Sequence, residues 1–298
     1  QGIIGNMNIQ LRLAQIDPNG NCTNGITRTT SALTYNANDN VKTQLISWDN
    51  SKYLNIWVVA KISFGAGGYA YYPGTAPTGC EGIVVLYTQF GGTGASCGSN
   101  FCRRTLTHEL GHYFNLAHTW GSSNTCGDPG NCSIDDNVTD TPNTIGNCLT
   151  CVLNNNRCSV LENVENYMDY SLCTKMFTKG QAMRSDAALN STVGWRLNLW
   201  QPANLAATGT DGTTLPPCVP TTYFRENTNM ICAGDSVIYT HFSWNVVPTS
   251  WSWNFPGGTP ATSTVQNPLV TYNSVGTYPV SLWATNGNGT DSVLHTWV

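Results

Sequence analysis

The sequence predicts an α+β fold in which a first domain of strands and helices is followed by an all-β sandwich. Short β-branched runs and two strong helical patterns occupy the first two thirds of the chain, whereas regularly spaced short strands follow residue 220. A segment rich in Pro, Gly and Thr lies between the two patterns. We therefore predict a first domain at 1–204, a linker at 205–220 and a small β-sandwich at 221–298.

The first domain opens with strand signals. Apolar and polar residues alternate over 3–20 up to a Pro-Asn-Gly turn, which predicts a strand. A short helix is predicted at 38–48, because apolar residues recur there at helical spacing after an Asn/Asp cap. The continuous apolar run at 54–62 predicts a buried strand, and further strands are predicted at 68–74 and 82–90. These strands would form a twisted mixed sheet.

Two stronger helical patterns follow, at 103–118 and 177–189. In the second, Thr178 and Gln181 fit a capping box. The segment 126–173 between them is rich in Asn, Asp, Gly and Pro and holds six of the twelve cysteines. A loop of this length needs cross-links to keep one conformation, and three disulfides could supply them.

The sandwich is predicted from its aromatic residues as well as from its turns. Trp253 and Phe255 alternate along one strand and would point inward. Tyr272 and Tyr278 would fill the facing sheet, so that the two sheets enclose an aromatic core.

The composition argues against several classes of function. Charged residues make up 10% of the chain and the formal net charge is -4, whereas soluble proteins usually contain about 25% charged residues. The chain therefore offers no electrostatic attraction for nucleic acid or anionic lipid, and no apolar run approaches the roughly 20 residues that span a membrane. Twelve cysteines indicate an oxidising compartment. Because no signal peptide follows Gln1, we expect a mature secreted protein.

HELGHYFNLAH, residues 108–118, contains three of the five histidines. Residues four apart share a helix face, so His108 and His112 can bind one metal ion, with Glu109 beside them. His118 adds a third imidazole. Zinc held by three neutral imidazoles keeps a fourth position for water, lowers the pKa of that water and polarises a scissile carbonyl. The alternative is an amphipathic helix with ordinary surface histidines.

The third histidine can reach the same ion only if the helix ends before it. A straight helix would carry His118 away, so the chain must turn sharply after Phe114. Such a turn needs a left-handed backbone conformation, which glycine adopts most readily and asparagine next. We therefore predict that Asn115 adopts this conformation.

Several motifs carry a resemblance to a known family. HELGHYFNLAH followed by ENYMDYS (165–171) resembles the zinc site and Met-turn of metzincin metallopeptidases. NIQLRLAQIDPNGNCTNGITR, YLNIWVV, GYAYYPG and DNVTDTP are similar to the pappalysin/cytophagalysin family in particular, and together they cover most of 1–190. Asn115 and the extra cysteines around 126–158 depart from the family pattern without removing a catalytic group. The resemblance implies a metzincin-type catalytic domain.

The resemblance also implies roles for individual residues. Met168 would be the Met-turn methionine beneath the metal site. Tyr170 matches a position at which related enzymes place a tyrosine against the oxyanion of the reaction, the alternative being a core aromatic under the site. Glu109 would act as general base on a zinc-held water and then carry its proton to the leaving amine.

DNVTDTPN, residues 136–143, is a turn-rich segment that follows the predicted helix at 103–118 with its metal-binding histidines. On the residues alone it fits equally well a calcium site of carboxylate and carbonyl oxygens or a polar surface turn. The resemblance favours calcium, because family members bind this ion in a D-x-V-x-D-T-P stretch. The predicted calcium ligands are Asp136, Val138, Asp140 and Thr141.

The cysteines of 126–173 include the CxxC of Cys148 and Cys151, for which a structural zinc ribbon is the alternative to disulfides. The sequence does not choose among the pairings of these six residues. The resemblance implies one bridge between the loop near Cys148 and Cys173. The local pairs predicted elsewhere are Cys97 with Cys102 and Cys218 with Cys232, which leaves Cys22 and Cys80.

WSWNFPGG and NPLVTYNSVGTYPVSLWATNGNG resemble a polycystic-kidney-disease (PKD) domain over most of 235–298, which implies an immunoglobulin-like sandwich. Such domains in secreted hydrolases act as spacers or as weak binders of protein or polysaccharide. An exposed Trp251 or Trp283 could form a binding face, although core packing is the commoner use of aromatic residues in such a domain.

The sequence thus predicts a secreted zinc endopeptidase that acts on proteins or peptides, without nucleic acid or membrane insertion. Substrate would run in a cleft between the sheet and an irregular lower half, pairing with an edge strand near GGYAYYPG. The alternative is a non-catalytic adhesin or binding protein with a vestigial zinc site. Glu109 argues against it, because a purely structural site has no use for a general base. A zinc amidase that acts on a non-peptide bond is a third option.

Overall fold

The computed structural model describes residues 3–212 and 215–296. The chain divides into two compact units, each of which has most of its residue contacts within itself. The first contains the residues before Arg12 together with Thr27–Leu205, and the second contains Arg12–Ile26 together with the residues from Ala206 onward. The predicted bounds of the domains and the linker stay a prediction.

The segment Arg12–Ile26 departs from the predicted organisation, which put it in the first domain. Its backbone is hydrogen-bonded within the second unit, because the amides of Gln15 and Ile16 both donate to the carbonyl of Thr208. These residues therefore extend the second unit.

The first unit combines short strands with four helices, the last of which ends two residues beyond the boundary at Leu205. In chain order its elements are β1 (Ile4–Gly5), α1 (Asn40–Gln44), β2 (Ile56–Val59), β3 (Gly68–Ala70), β4 (Ile83–Leu86), α2 (Asn100–Tyr113), β5 (Phe177–Thr178), α3 (Lys179–Leu189) and α4 (Pro202–Ala207). Short 3-10 turns connect several of them.

The predicted strand at 3–20 is wrong for most of its length. Only β1 pairs with another strand, antiparallel to β5. Asn8 lies in the left-handed region (φ 51°) and its amide donates to the side chain of Asn6, so a local turn interrupts the extended run. The apolar side chains of Leu11 and Leu13 beyond this turn are exposed.

Strands β2, β4 and β3 form a mixed sheet in that order, with β2 parallel and β3 antiparallel to the central strand β4. Ile83, Val84 and Val85 of β4 are fully buried, as expected for a central strand covered on both faces. Val84 packs with Val41 of α1, and Ile83 packs with Tyr113 of α2. The three predicted strands are therefore confirmed, and β3 is an edge strand that contacts α2.

Each predicted helix of this unit is present. α1 is shorter than the predicted 38–48. α2 starts after Ser99, whose hydroxyl caps the first turn, and ends five residues before 118. The capping box of Thr178 and Gln181 at the start of α3 is confirmed. The segment 126–173, which the structure describes throughout, contains one 3-10 turn but neither α-helix nor strand, as predicted.

The second unit is a β-sandwich, which confirms the predicted architecture. Its strands are β6 (Phe224–Glu226), β7 (Ser236–His241), β8 (Ser250–Asn254), β9 (Gly258–Thr259), β10 (Thr262–Ser263), β11 (Leu269–Tyr272), β12 (Val280–Asn286) and β13 (Gly289–His295). They form two four-stranded sheets, in the orders β10-β8-β12-β13 and β6-β7-β11-β9.

Aromatic side chains fill the core of the sandwich. Trp253, Phe255 and Tyr272 are buried in one cluster, and Tyr278 and Trp251 pack against it. The predicted core is therefore confirmed. Trp283 is the more exposed of the two tryptophans considered for a binding face, at 39%.

Five disulfides cross-link the chain. They join Cys22 to Cys218, Cys97 to Cys102, Cys126 to Cys148, Cys132 to Cys158 and Cys151 to Cys173. All six cysteines of 126–173 are paired, so a zinc ribbon is not formed there. The bridge to Cys173 from the loop near Cys148 is confirmed, as is the local pair of Cys97 and Cys102.

The predicted pair of Cys218 and Cys232 is wrong. Because Arg12–Ile26 belongs to the second unit, Cys22 lies next to Cys218, and Asn245 donates to the carbonyl of Cys22. Cys232 is exposed and unpaired, and Cys80 is buried and unpaired.

None of the helices in the described part of the chain has the length and hydrophobicity of a membrane-spanning segment.

Candidate metal centre

The three histidines of the predicted site meet at the C-terminal end of α2. His108 and His112 lie one turn apart, and His118 reaches them from the loop beyond the helix. The Nε2 atom of His112 is 3.1 Å from that of His108 and 3.2 Å from that of His118. Among the described residues, this is the only group of three or more His, Cys, Asp or Glu side chains placed to hold one metal ion.

Hydrogen bonds of the opposite ring nitrogens fix the tautomers. The Nδ1 atoms of His108, His112 and His118 lie 2.7, 2.7 and 3.2 Å from the carbonyl oxygens of Tyr167, Leu116 and Ser123, respectively. A carbonyl only accepts hydrogen bonds, so each Nδ1 carries the proton and each Nε2 presents a lone pair.

Three lone pairs directed at one point repel each other unless a cation lies between them. Nitrogen ligands of a tetrahedral zinc ion, at about 2.0–2.1 Å from the metal, would be about 3.3 Å apart. The separations between the Nε2 atoms of the triad are close to this value. The donor set therefore fits zinc.

Burial keeps the three imidazoles neutral. It lowers the pKa of His108 to about 3 and that of His112 to about 4, and it holds the pKa of His118 well below its usual range. For His108 and His118, neighbouring imidazoles add to this effect, because a second positive charge would be repelled. The rings are therefore in the protonation state that binds a metal ion.

Asn115 has φ 72°, so its predicted left-handed conformation is confirmed. It closes α2 with a Schellman motif, in which the amide of Leu116 donates to the carbonyl of Gly111 and the amide of Asn115 to that of His112. The carbonyl of Asn115 accepts a hydrogen bond from Arg184 of α3 at 2.7 Å. This turn places the carbonyl of Leu116 against a ligand imidazole and directs the third histidine to the site.

We expect Asn115→Val to weaken zinc binding by about tenfold or more, and Asn115→Gly to leave zinc binding nearly unchanged. A β-branched residue is a strong outlier at positive φ, whereas glycine adopts it freely, and tenfold corresponds to about 1.4 kcal/mol. Competition with a fluorescent zinc chelator would measure both affinities. Equal affinities for the two variants would show that the turn does not depend on the left-handed residue.

Met168 lies beneath α2, next to the metal ligands. It is fully buried and packs with Leu116 and Phe177. Gly111 is needed above it, because a Cβ at this position would clash with the Sδ atom of Met168. The residue before Met168, Tyr167, supplies the carbonyl that orients the first histidine. The structure thus brings the predicted Met-turn residue under the histidine triad.

Glu109 is buried beside the triad, and its side chain lies against β3. A Cβ on Gly68 would come within 2.9 Å of Oε1 of Glu109, so the absence of a side chain there makes room for the carboxylate. Burial raises the pKa of Glu109 to about 8, and the charge of Lys42 acts in the opposite direction. The ammonium of Lys42 is itself buried over the rings of Tyr69 and Tyr71, at 4.4 and 4.7 Å.

Aromatic rings surround the imidazoles. The ring of Tyr170 is 4.9 Å from that of His118 and 5.4 Å from that of His108, between ring centres. Tyr72 contacts His112 edge to face at 5.5 Å. Burial raises the pKa of Tyr170 to about 12, so its hydroxyl keeps its proton and can donate a hydrogen bond. Tyr170 is only partly buried, and its role at the oxyanion stays a prediction.

Trp120 belongs to the site although the sequence prediction missed it. Its indole stacks on the imidazole of His118 at 4.4 Å with an angle of 8° between the planes. Its Nε1 donates to the carbonyl of Ser123 at 2.7 Å, the same carbonyl that orients His118. The indole also contacts the ring of Tyr170, at 4.9 Å between ring centres, and lies against Gly146, where a Cβ would clash with it. The only clue in the sequence is its position two residues after His118.

A second buried group that the prediction missed connects the Met-turn to the disulfide-rich loop. Asp169 accepts hydrogen bonds from the amide and the side chain of Asn147, at 3.1 and 3.0 Å. Asn147 accepts in turn from Arg157, which pairs with Glu162. Burial raises the pKa of Asp169 to about 7. The network thereby holds the loop against the segment that carries Met168.

A buried ion pair anchors the last residue of α2. Arg196 is fully buried, and its Nε donates to the carbonyl of Tyr113 at 3.0 Å. Its guanidinium lies 3.3 Å from the centre of the Tyr113 ring and pairs with Glu81. The end of the metal helix is therefore tied to the segment before β4.

The structure brings together three of the four predicted calcium ligands. The hydroxyl of Thr141 lies 2.7 and 2.8 Å from the carboxylate oxygens of Asp136 and 2.6 Å from the carbonyl of Val138. Asp140 instead accepts from the hydroxyl of Thr178 and the amide of Gly180, at the start of α3. Burial raises the pKa of Asp136 to about 6. The calcium site itself stays a prediction.

Both units are similar to known families. Residues 34–190 match peptidase family M43, described as pregnancy-associated plasma protein-A, and residues 220–297 match the PKD domain. An extracellular metalloprotease of Podospora anserina is 35% identical over 144 residues, which are 45% of this chain and 45% of the relative. An extracellular metalloprotease of Coccidioides posadasii is 34% identical over 142 residues, 44% of this chain and 47% of the relative. The chain spans about half the length of these curated relatives.

A solved structure shares the architecture of the first part of the chain. Mature mirolysin of Tannerella forsythia, solved in complex with a cleaved peptide, is 36% identical and superposes with a TM-score of 0.61. The match covers 69% of this chain and 79% of the mirolysin chain.

Proposed function

Because the chain belongs to peptidase family M43, we propose that it is a secreted zinc endopeptidase that hydrolyses peptide bonds in proteins. The observation that carries this proposal is the convergence of three neutral imidazoles beside the buried carboxylate of Glu109. The relatives named extracellular metalloproteases and the cleaved peptide in the mirolysin structure support both the reaction and the extracellular location.

The chemistry divides between the metal and the protein. Zinc, when held by His108, His112 and His118, supplies a Lewis acid that lowers the pKa of water and polarises a carbonyl. Glu109 accepts the proton that the attacking water loses, for which its carboxyl group must be ionised. The positive charge of zinc held beside it would offset the effect of burial on its pKa. The same carboxyl group then donates the proton to the leaving amine.

Two further groups position the reacting peptide. The protonated hydroxyl of Tyr170, whose ring contacts two of the ligand imidazoles, donates to the oxyanion that forms on the scissile carbonyl. The edge strand β3 pairs with an extended substrate through its backbone, which brings the substrate alongside Glu109. Met168 and Asn115 would affect the reaction indirectly, because they fix the positions of the three histidines that hold the metal.

Metal removal tests the proposal. We expect the protein to cleave denatured casein or gelatin, to lose this activity on dialysis against a zinc chelator, and to recover it when one equivalent of zinc is added. Calcium added alone after the same dialysis is the control and should restore nothing. Failure of the zinc-loaded protein to cleave any protein substrate would favour the adhesin alternative, and cleavage that survives metal removal would exclude the zinc mechanism.

We also propose that the loop at 136–141 binds calcium through Asp136, Val138 and Thr141. The grouping of their oxygen atoms supports this proposal, and a cation would relieve the cost of burying the Asp136 carboxylate. Asp140 would bind calcium only after its hydrogen bonds to Thr178 and Gly180, at the start of α3, are broken. The zinc-loaded protein, melted with calcium and then with a calcium chelator, should show a higher Tm in calcium, and identical Tm values would contradict the site.

For the second unit we propose the role of a spacer that binds protein or polysaccharide weakly. The match to the PKD domain supports this role, and Trp283 on β12 is an exposed aromatic residue that can contact a ligand. Retention of the buried Glu109 beside the histidines remains the argument against a purely adhesive protein.

A further inference from the structure

Leu149 adopts a backbone conformation that does not suit a leucine. Its φ is 54°, in the left-handed region that glycine and asparagine occupy far more readily. Burial of the side chain does not compensate for this conformation, since 58% of Leu149 is exposed. A strained, exposed and apolar residue of this kind is a candidate for a functional contact.

The surrounding chain holds Leu149 in this conformation. Cys148 before it is bonded to Cys126, and Cys151 after it is bonded to Cys173. The amide of Leu149 also donates to the carbonyl of Tyr170 at 3.1 Å. The backbone at Leu149 is therefore held in a fixed position relative to the Met-turn segment.

This arrangement joins the backbone of Leu149 to a residue that contacts the metal centre. Tyr170, whose carbonyl it contacts, has its ring within 5.4 Å of the rings of His108 and His118. Leu172, which is 46% exposed, donates through its amide to the carbonyl of Thr150 at 3.0 Å. Two exposed leucines thus lie on adjacent backbone segments beside Tyr170.

The charges in this region favour an apolar ligand. Among the residues that the structure describes at 148–151 and 170–173, none is charged. The nearest carboxylate in sequence, that of Asp169, is buried and accepts hydrogen bonds from Asn147. A basic substrate side chain would therefore find no counter-charge from these two segments.

We propose that Leu149, together with Leu172, forms the subsite that receives an apolar side chain of the substrate next to the scissile bond. The inference rests on the proposed peptidase function and adds a substrate preference to it. Disulfides and the bond to Tyr170 hold the leucine ready for contact, so little conformational freedom is lost when the substrate binds.

The test compares cleavage by the wild-type protein, Leu149→Gly and Leu149→Asn, all loaded with zinc. Cleavage sites mapped in a denatured protein mixture identify the subsite with an apolar preference. Two peptides that differ only by leucine or serine at that subsite then give a ratio of kcat/KM. We expect this ratio to fall about tenfold in both variants, as for loss of an apolar pocket contact. Leu161→Ser, in a leucine of the same loop that is 64% exposed, is the control and should keep the wild-type ratio.

The possible outcomes distinguish the proposed subsite from the proposed peptidase function. No cleavage by the zinc-loaded wild type would overturn the peptidase function. Cleavage without an apolar preference, or a peptide ratio that stays unchanged in the Leu149 variants, would overturn the subsite alone. Both variants suit the left-handed conformation and should melt within about 4 °C of the wild type. A larger loss of stability would show that Leu149 is a structural residue and would also overturn the subsite.

Discussion

Glu109→Gln is expected to lower kcat/KM for protein cleavage by about a hundredfold to ten-thousandfold while zinc remains bound. The amide has nearly the shape of the carboxylate, so the packing against Gly68 and the three imidazoles are preserved. It cannot accept the proton of the attacking water, and general acid–base catalysis contributes an effect of this size. Peptide cleavage assays and zinc analysis of the same preparation measure the two quantities.

The matched control is Glu226→Gln, which removes a carboxylate from β6 of the second unit. It should keep wild-type activity and zinc content. Wild-type activity in Glu109→Gln would contradict the assignment of the general base. Loss of zinc in that variant would instead show that Glu109 stabilises the metal site.

Glu81→Ala is expected to destabilise the first unit by about 3–5 kcal/mol. The substitution leaves the guanidinium of Arg196 buried without its counter-charge, and removal of one partner from a buried pair has a cost of this size. Because Arg196 also holds the carbonyl of Tyr113, the end of the metal helix should loosen at the same time. Urea unfolding of the zinc-loaded protein measures the change.

Two comparisons isolate the effect of burial. Glu165→Ala breaks the exposed pair with Lys175 and should cost less than about 1 kcal/mol. The double variant Glu81→Leu with Arg196→Met removes both charges and should recover much of the lost stability. Equal losses in Glu81→Ala and Glu165→Ala would show that the buried pair contributes no more than a surface pair.

The metal centre was predictable from the sequence because its information is local. His108 and His112 share a face of one helix, and the position of Asn115 between them and His118 is enough to predict the turn. The capping box of α3 is local in the same sense. Such features depend on residues within a few positions of one another.

The features that escaped prediction depend on contacts between distant residues. The stacking of Trp120 on His118 requires the glycine at position 146 on a separate loop. The pairing of Cys22 with Cys218 requires a segment near the start of the chain to join the second unit. Sequence spacing carries no signal for such contacts. The strand predicted at 3–20 was wrong for a local reason, because the turn in which Asn8 donates to Asn6 outweighs the alternation there.

The bridge between Cys22 and Cys218 has a consequence for the lifetime of the protein. It encloses residues 23–217, and with them almost the whole first unit, in one covalent ring. A single backbone cut anywhere in that ring leaves the two resulting fragments joined through the bridge. If the protein has the proposed peptidase activity, its own copies are substrates in concentrated solution, and exposed loops are where nicks concentrate. A molecule cut once between residues 205 and 217 would therefore keep its sandwich attached for as long as the surroundings remain oxidising.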